Sequence, residues 1–102
     1  MLNFIKKLFV GNSVNFKALQ SDGAIIVDVR TAAEYRAAHL AGSKNIPLDK
    51  LRASTASLKK FNKPVITVCQ SGARSKMAQG ILAYAGINAY DGGGWKRLQK
   101  KL

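Results

Sequence analysis

Two continuous apolar runs organise the chain: AIIVDV at residues 24–29 and VITV at 65–68. Both are rich in β-branched residues and lack polar alternation, the pattern of strands covered on both faces. INAYD, at 87–91, predicts a third, shorter strand, and LAGSKNIPL (40–48) a loop with a short strand ending at Pro47. The segments between carry helix punctuation. Asn15 is placed to cap a short helix over FKALQ, and Asp22-Gly23 makes a turn. Thr31 and Glu34 have capping-box spacing ahead of AAEYRAAH. Asp49 is expected to cap a helix through LDKLRASTASLKKF, weakened by Ser54, Thr55 and Ser57. Lys63-Pro64 breaks the chain, and after a loop at Ser71-Gly72 a helix is predicted to about Ala85, with Gly86 as its left-handed cap. Gly92 to Gly94 read as a flexible loop and WKRLQKKL as a basic closing helix.

Strand-like and helix-like segments thus alternate at short spacing, which predicts an α/β fold with a mainly parallel sheet and helices on both faces. In such sheets ligands bind beyond the carboxyl ends of the strands. Cys69 stands at one such end and Asp28 to Arg30 at another. At 102 residues the chain accommodates one domain with one core. No repeat, linker or low-complexity stretch interrupts it.

Composition narrows the function classes. With 47% hydrophobic and 22% charged residues the chain is globular, and 17 basic against 5 acidic residues give a net charge of +12. That field attracts anions. The lysines are scattered, so a solvated basic surface is favoured over a dedicated nucleic-acid stripe. A lone cysteine excludes both an intramolecular disulfide and a multi-thiolate zinc site, and it fits a reducing compartment, expected to be the cytoplasm. At the N-terminus, Lys6 and Lys7 cut the apolar run of MLNFIKKLFVGNS, short of the roughly 7–15 residues of a signal-peptide core. No segment reaches the ~20 apolar residues of a membrane span. Met1 to Ser13 are read as a short helix or arm, with a weak membrane-surface anchor the lesser reading.

The chemistry converges on CQSGARS, residues 69–75, between VITV and the helix that follows. A thiol is a nucleophile only as thiolate. Helix N-terminal amides, a glycine that lets successive N–H groups turn inward, and the permanent cation of Arg74 all favour that form. The same cradle can bind an oxyanion or an extra sulfur on the cysteine. A lone cysteine at a strand end is ordinarily a small buried hydrophobe; the polar neighbours Gln70, Ser71, Arg74 and Ser75, with Gly72, favour function here.

CQSGARS resembles the active-site loop of the rhodanese family of sulfurtransferases. DVRTAAEYRAAHLAGSKNIP (28–47) and YDGGGWKRL (90–98) resemble two further family motifs, in the same order. The resemblance extends from about Val14 onward and implies a rhodanese-like three-layer fold with about five strands over residues 14–102, the arm 1–13 lying outside it. It implies that Cys69 takes the outer sulfur of an anionic donor such as thiosulfate as a persulfide and passes it to a thiol, cyanide or a protein acceptor, without metal or cofactor. Four residues separate Cys69 from Arg74, whereas phosphatases with a related loop use five, so the loop length implies sulfur rather than phosphate or arsenate as the cargo.

Substrate contacts are expected from Gln70, Ser71, Gly72, Ala73, Arg74 and Ser75, with Arg30 at the pocket mouth or, as favoured, paired with Glu34. The hydroxyls of Ser71 and Ser75 either donate to the persulfide or cap the helix. Asp28 and His39 are assigned to structure, Trp95 to packing, and Gly92 to Gly94 to a mobile pocket edge. A monomer is expected. The alternative is a non-catalytic module or persulfide carrier docking an acidic partner or RNA through the basic surface.

Overall fold

In the computed structural model, residues 9, 10 and 13–102 are described. In chain order they form β1 (Phe9–Val10), β2 (Ser13–Val14), α1 (Phe16–Ser21), β3 (Ile25–Asp28), α2 (Ala32–Ala37), β4 (Lys44–Asn45), α3 (Leu48–Lys60), β5 (Val65–Cys69), α4 (Ala73–Tyr84), β6 (Ala89–Gly94) and α5 (Trp95–Lys101). The expected helix or arm over Met1 to Ser13 falls mostly outside the described residues; of it, Phe9 and Val10 pair antiparallel with β2.

The main sheet has the order β4-β3-β5-β6, and every pairing in it is parallel. It carries four strands against about five expected, because β1 and β2 pair only with each other among the described residues. Side-chain alternation along the buried strands divides the core between two faces. Ile26, Ile66 and Val68 pack with Phe16 and Leu19 of α1 and Trp95 and Leu98 of α5. Val27, Val29, Val65 and Cys69 pack with Leu51 and Leu58 of α3 and Ala78 and Leu82 of α4. Helices on both faces are why β3 and β5 read as unbroken apolar runs.

The Asn15 cap and the Thr31–Glu34 capping box both form, and Gly86 lies in the left-handed region. Two expectations change. The helix α3 starts one residue before Asp49, at Leu48, with Pro47 as a cap that makes no side-chain hydrogen bond, so Asp49 sits in the first turn. Nor do Gly92 to Gly94 form a loop: β6 runs through them to Gly94. Close packing explains the change, since a Cβ on Gly94 would lie 2.9 Å from the Gln70 carbonyl oxygen. Only glycine lets β6 continue that close to the loop after β5.

Candidate active site

All four strands of the sheet end on one edge, and the residues singled out from sequence gather there. Cys69 ends β5 and is 1% exposed. The chain then turns through Gln70, Ser71 and Gly72 into α4. Gly72 has φ 118°, a backbone state that residues with a side chain rarely adopt. That turn aims its N–H at the cysteine, donating to Sγ at 2.9 Å. Burial pushes the thiol up, but hydrogen bonds from the Ser75 hydroxyl and the N–H groups of Ser75, Gly72 and Ser71 outweigh it, so Cys69 lies below the ordinary thiol value.

Ser75 is fully buried. Its hydroxyl lies 2.7 Å from Asp91 Oδ1 and 2.9 Å from the Gly72 carbonyl. A hydroxyl has one proton, and the Asp91 carboxylate is the strongest acceptor within reach. The donor to Sγ that the geometry fixes is therefore the Gly72 N–H, and the Ser75 hydroxyl, which also favours the thiolate, ties the loop to β6. Asp91 Oδ1 also accepts from Gly93 N–H at 2.9 Å.

The arginines depart from expectation. Arg30 does not pair with Glu34. Two residues after Asp28 its guanidinium folds back, with Nη2 2.7 Å from Asp28 Oδ2, and Nη2 also donates to the Ala38 carbonyl at 2.8 Å. Asp28 is fully buried, and this pairing with the Arg30 backbone N–H at 3.0 Å supplies the donors that a buried carboxylate requires. Glu34 instead holds Arg74 in a bidentate pair at 2.7 and 3.0 Å. Arg74 thereby pulls the Glu34 carboxyl to about 2, helped by the Thr31 N–H of the capping box. In this structure the Arg74 guanidinium faces that carboxylate, and Ala73 begins α4 beside it.

His39 is exposed and stacks on Tyr35 with ring centroids 3.7 Å apart, its Nδ1 donating to the Tyr35 carbonyl at 2.7 Å. Among the described residues it makes no hydrogen bond to Cys69. Trp95 is buried, and Arg30 lies over its ring at 5.0 Å.

Two hollows adjoin the loop. One, of about 280 Å³, is lined by Gln70, Ser71, Gly94, Lys96 and Arg97. The other, of about 270 Å³, is lined by Arg30, Glu34, Ala37, Ala38, Gln70, Trp95 and Lys96. Lys96 and Arg97 were not singled out from sequence, nor were Glu34 and Asp91 in these roles. For the two cations the available signal was position, because residues following β6 share the edge where β5 ends. For Asp91 it was the D-x-G spacing of an aspartate turn.

Residues 14–101 match the family described as Rhodanese-like domain. The chain belongs to the rhodanese family. Over 80 residues, 76% of the chain, it is 34% identical to a thiosulfate sulfurtransferase GlpE of Pseudomonas fluorescens and covers 72% of that protein. A rhodanese solved with anions from E. coli superposes with a TM-score of 0.68 at 30% identity, over 74% of this chain and 91% of that one. A rhodanese-like domain protein from Staphylococcus aureus gives 0.70 at 32% identity, over 82% and 81%. The rhodanese fold thus accounts for the parallel sheet with helices on both faces. No helix among the described residues is long and apolar enough to cross a membrane.

Proposed function

We propose that this rhodanese is a sulfurtransferase that moves sulfane sulfur from an anionic donor such as thiosulfate to a thiophilic acceptor through a persulfide on Cys69. One observation carries the reading: Cys69 Sγ, buried at a strand end, accepts a backbone N–H at 2.9 Å from a left-handed glycine. A thiol packed merely as a hydrophobe has no need of such a donor.

In the first step the Cys69 thiolate attacks the outer sulfur of thiosulfate. The sulfur–sulfur bond of the donor breaks, sulfite leaves with the bonding pair, and the persulfide remains on Cys69. The N–H groups of Ser71, Gly72 and Ser75 that favour the thiolate then face the added sulfur. Gln70, Ser71, Ala73 and the cationic rim, Arg97 included, receive the donor. Arg74 acts through its position beside the loop with its charge shared with Glu34, and Arg30 borders the pocket while held by Asp28. An acceptor thiolate removes the sulfur in the second step, a ping-pong scheme. The scheme needs neither metal nor organic cofactor, and a reducing compartment such as the cytoplasm keeps the lone thiol available.

Incubation with thiosulfate followed by intact-mass measurement tests this. A gain of one sulfur (about 32 Da), removable by cyanide and absent in Cys69→Ser, is the outcome expected of a covalent intermediate. A protein whose mass is unchanged by thiosulfate, polysulfide or an organic persulfide is not a sulfurtransferase of this kind.

A further inference from the structure

The hollow on the α2 side of the loop is chemically unlike a site for a small inorganic dianion. Its floor is the indole of Trp95 and its wall the methyl groups of Ala37 and Ala38. Two cations flank that indole: the Arg30 guanidinium carbon is 5.0 Å from the ring centroid and Lys96 Nζ 5.6 Å. They differ in electrostatic state. Arg30 is neutralised by Asp28 at 2.7 Å, and Glu34 at the far rim is neutralised by Arg74. Lys96 has no carboxylate partner among the described residues. The hollow is therefore apolar in its body, with one uncompensated positive charge at its edge, and the exposed Gln70, the residue after Cys69, is part of its lining.

We propose that this hollow is the acceptor subsite, and that it selects small thiols with a short apolar stem and a terminal carboxylate. The stem lies on Trp95, Ala37 and Ala38, the carboxylate meets Lys96, and the thiol is directed past Gln70 to Cys69. The acceptor thiolate attacks the outer sulfur of Cys69–S–SH and a new sulfur–sulfur bond forms. The old bond breaks with its electron pair returning to Cys69 Sγ, and the acceptor departs as R–S–SH, which yields its proton to water. No external oxidant or reductant enters. The proposal rests on the sulfurtransferase reading and names its second substrate.

The test compares 3-mercaptopropionate with 2-mercaptoethanol at equal thiolate concentration, in single-turnover discharge of protein first shown by mass to carry the extra sulfur. The wild type is expected to prefer the carboxylate thiol by about tenfold, the low end for a hydrogen bond to a charged group. Lys96→Gln removes most of that preference. Ala37→Trp, at an exposed position where a larger side chain fills the hollow rather than the core, slows the carboxylate thiol most. Lys60→Gln, the same charge loss on α3, leaves the preference unchanged. Equal loss in the Lys60 and Lys96 variants, or no preference in the wild type, overturns the proposal. A second measurement needs no sulfur transfer: butanoate, the sulfur-free shape analogue, slows iodoacetamide alkylation of Cys69 in the wild type but not in Lys96→Gln, and 1-propanol slows neither. Protection without persulfide formation retains the subsite and removes the transferase reading; persulfide formation with neither preference nor protection does the reverse.

Discussion

At the scale of single residues, Cys69 is defined by what donates to it. Because its thiol is depressed below the ordinary value, the thiolate fraction rises through a lower midpoint. Rates of iodoacetamide alkylation against pH should show a midpoint below the ordinary ~8.5. Ser75→Ala moves that midpoint only part of the way back, because the N–H groups of Ser71, Gly72 and Ser75 survive the substitution. A return to the ordinary value would mean that the hydroxyl, not the backbone, holds the thiolate. Glu34 gives a second titration. Its carboxyl falls from an ordinary 4.5 to about 2. A depressed acid contributes stability that is complete above the unfolded value and lost as pH falls through the folded one, so the Glu34–Arg74 pair persists to about pH 2. Carboxyl NMR shifts of Glu34 should report a midpoint near 2, and Arg74→Gln should bring it back toward 4.5. The capping box told of Glu34 as a helix-start residue; its grip on Arg74, 40 positions away, depends on the sheet bringing α2 and α4 together and has no local signature.

At the scale of elements, the strands were legible where both faces are buried and illegible where packing overrides composition. AIIVDV contains β3 and VITV all of β5 but Cys69, because burial on two faces leaves no polar alternation to confuse the reading. Three glycines in succession suggested a loop, yet they complete β6, since the Thr67 carbonyl beside Gly92 and the Gln70 carbonyl beside Gly94 leave no room for a side chain. The cysteine loop was readable because its glycine and polar residues are contiguous, whereas Lys96 and Arg97 reach the site only through the topology. Gly94→Ala tests the close approach. The added methyl meets the Gln70 carbonyl oxygen at 2.9 Å, and the variant should lose roughly 1–3 kcal/mol in urea unfolding, the range of overpacking. Its persulfide loading should slow in the fraction that remains folded. Stability unchanged within error would show that the loop yields freely.

At the scale of the whole molecule, the core lies on both faces of a four-stranded sheet and the charge lies outside it. Leu98→Ala, on a helix that closes one face with a fully buried side chain, should cost about 2–5 kcal/mol by denaturant titration. The net charge of +12 acts over distances set by salt. The described molecule extends 40 × 29 × 21 Å, so the screening length of about 30 Å at 0.01 M salt nearly spans it, whereas at 0.1 M it shrinks to about 10 Å. Second-order loading by thiosulfate should therefore fall several-fold between those conditions while loading by an uncharged donor stays level. Equal salt dependence for both donors would remove the role of the field.

Enclosure of the Cys69 sulfur also shields the protein from other copies of itself. Each chain carries a single, readily ionised thiol, a combination that ordinarily ends in covalent pairs once air is admitted. With 1% of the residue exposed, two such sulfurs cannot approach to the ~2 Å of a disulfide without unmaking the turns that surround them. Aerated samples run on non-reducing gels should stay at the mass of one chain, and mild denaturant should be needed before a doubled band emerges.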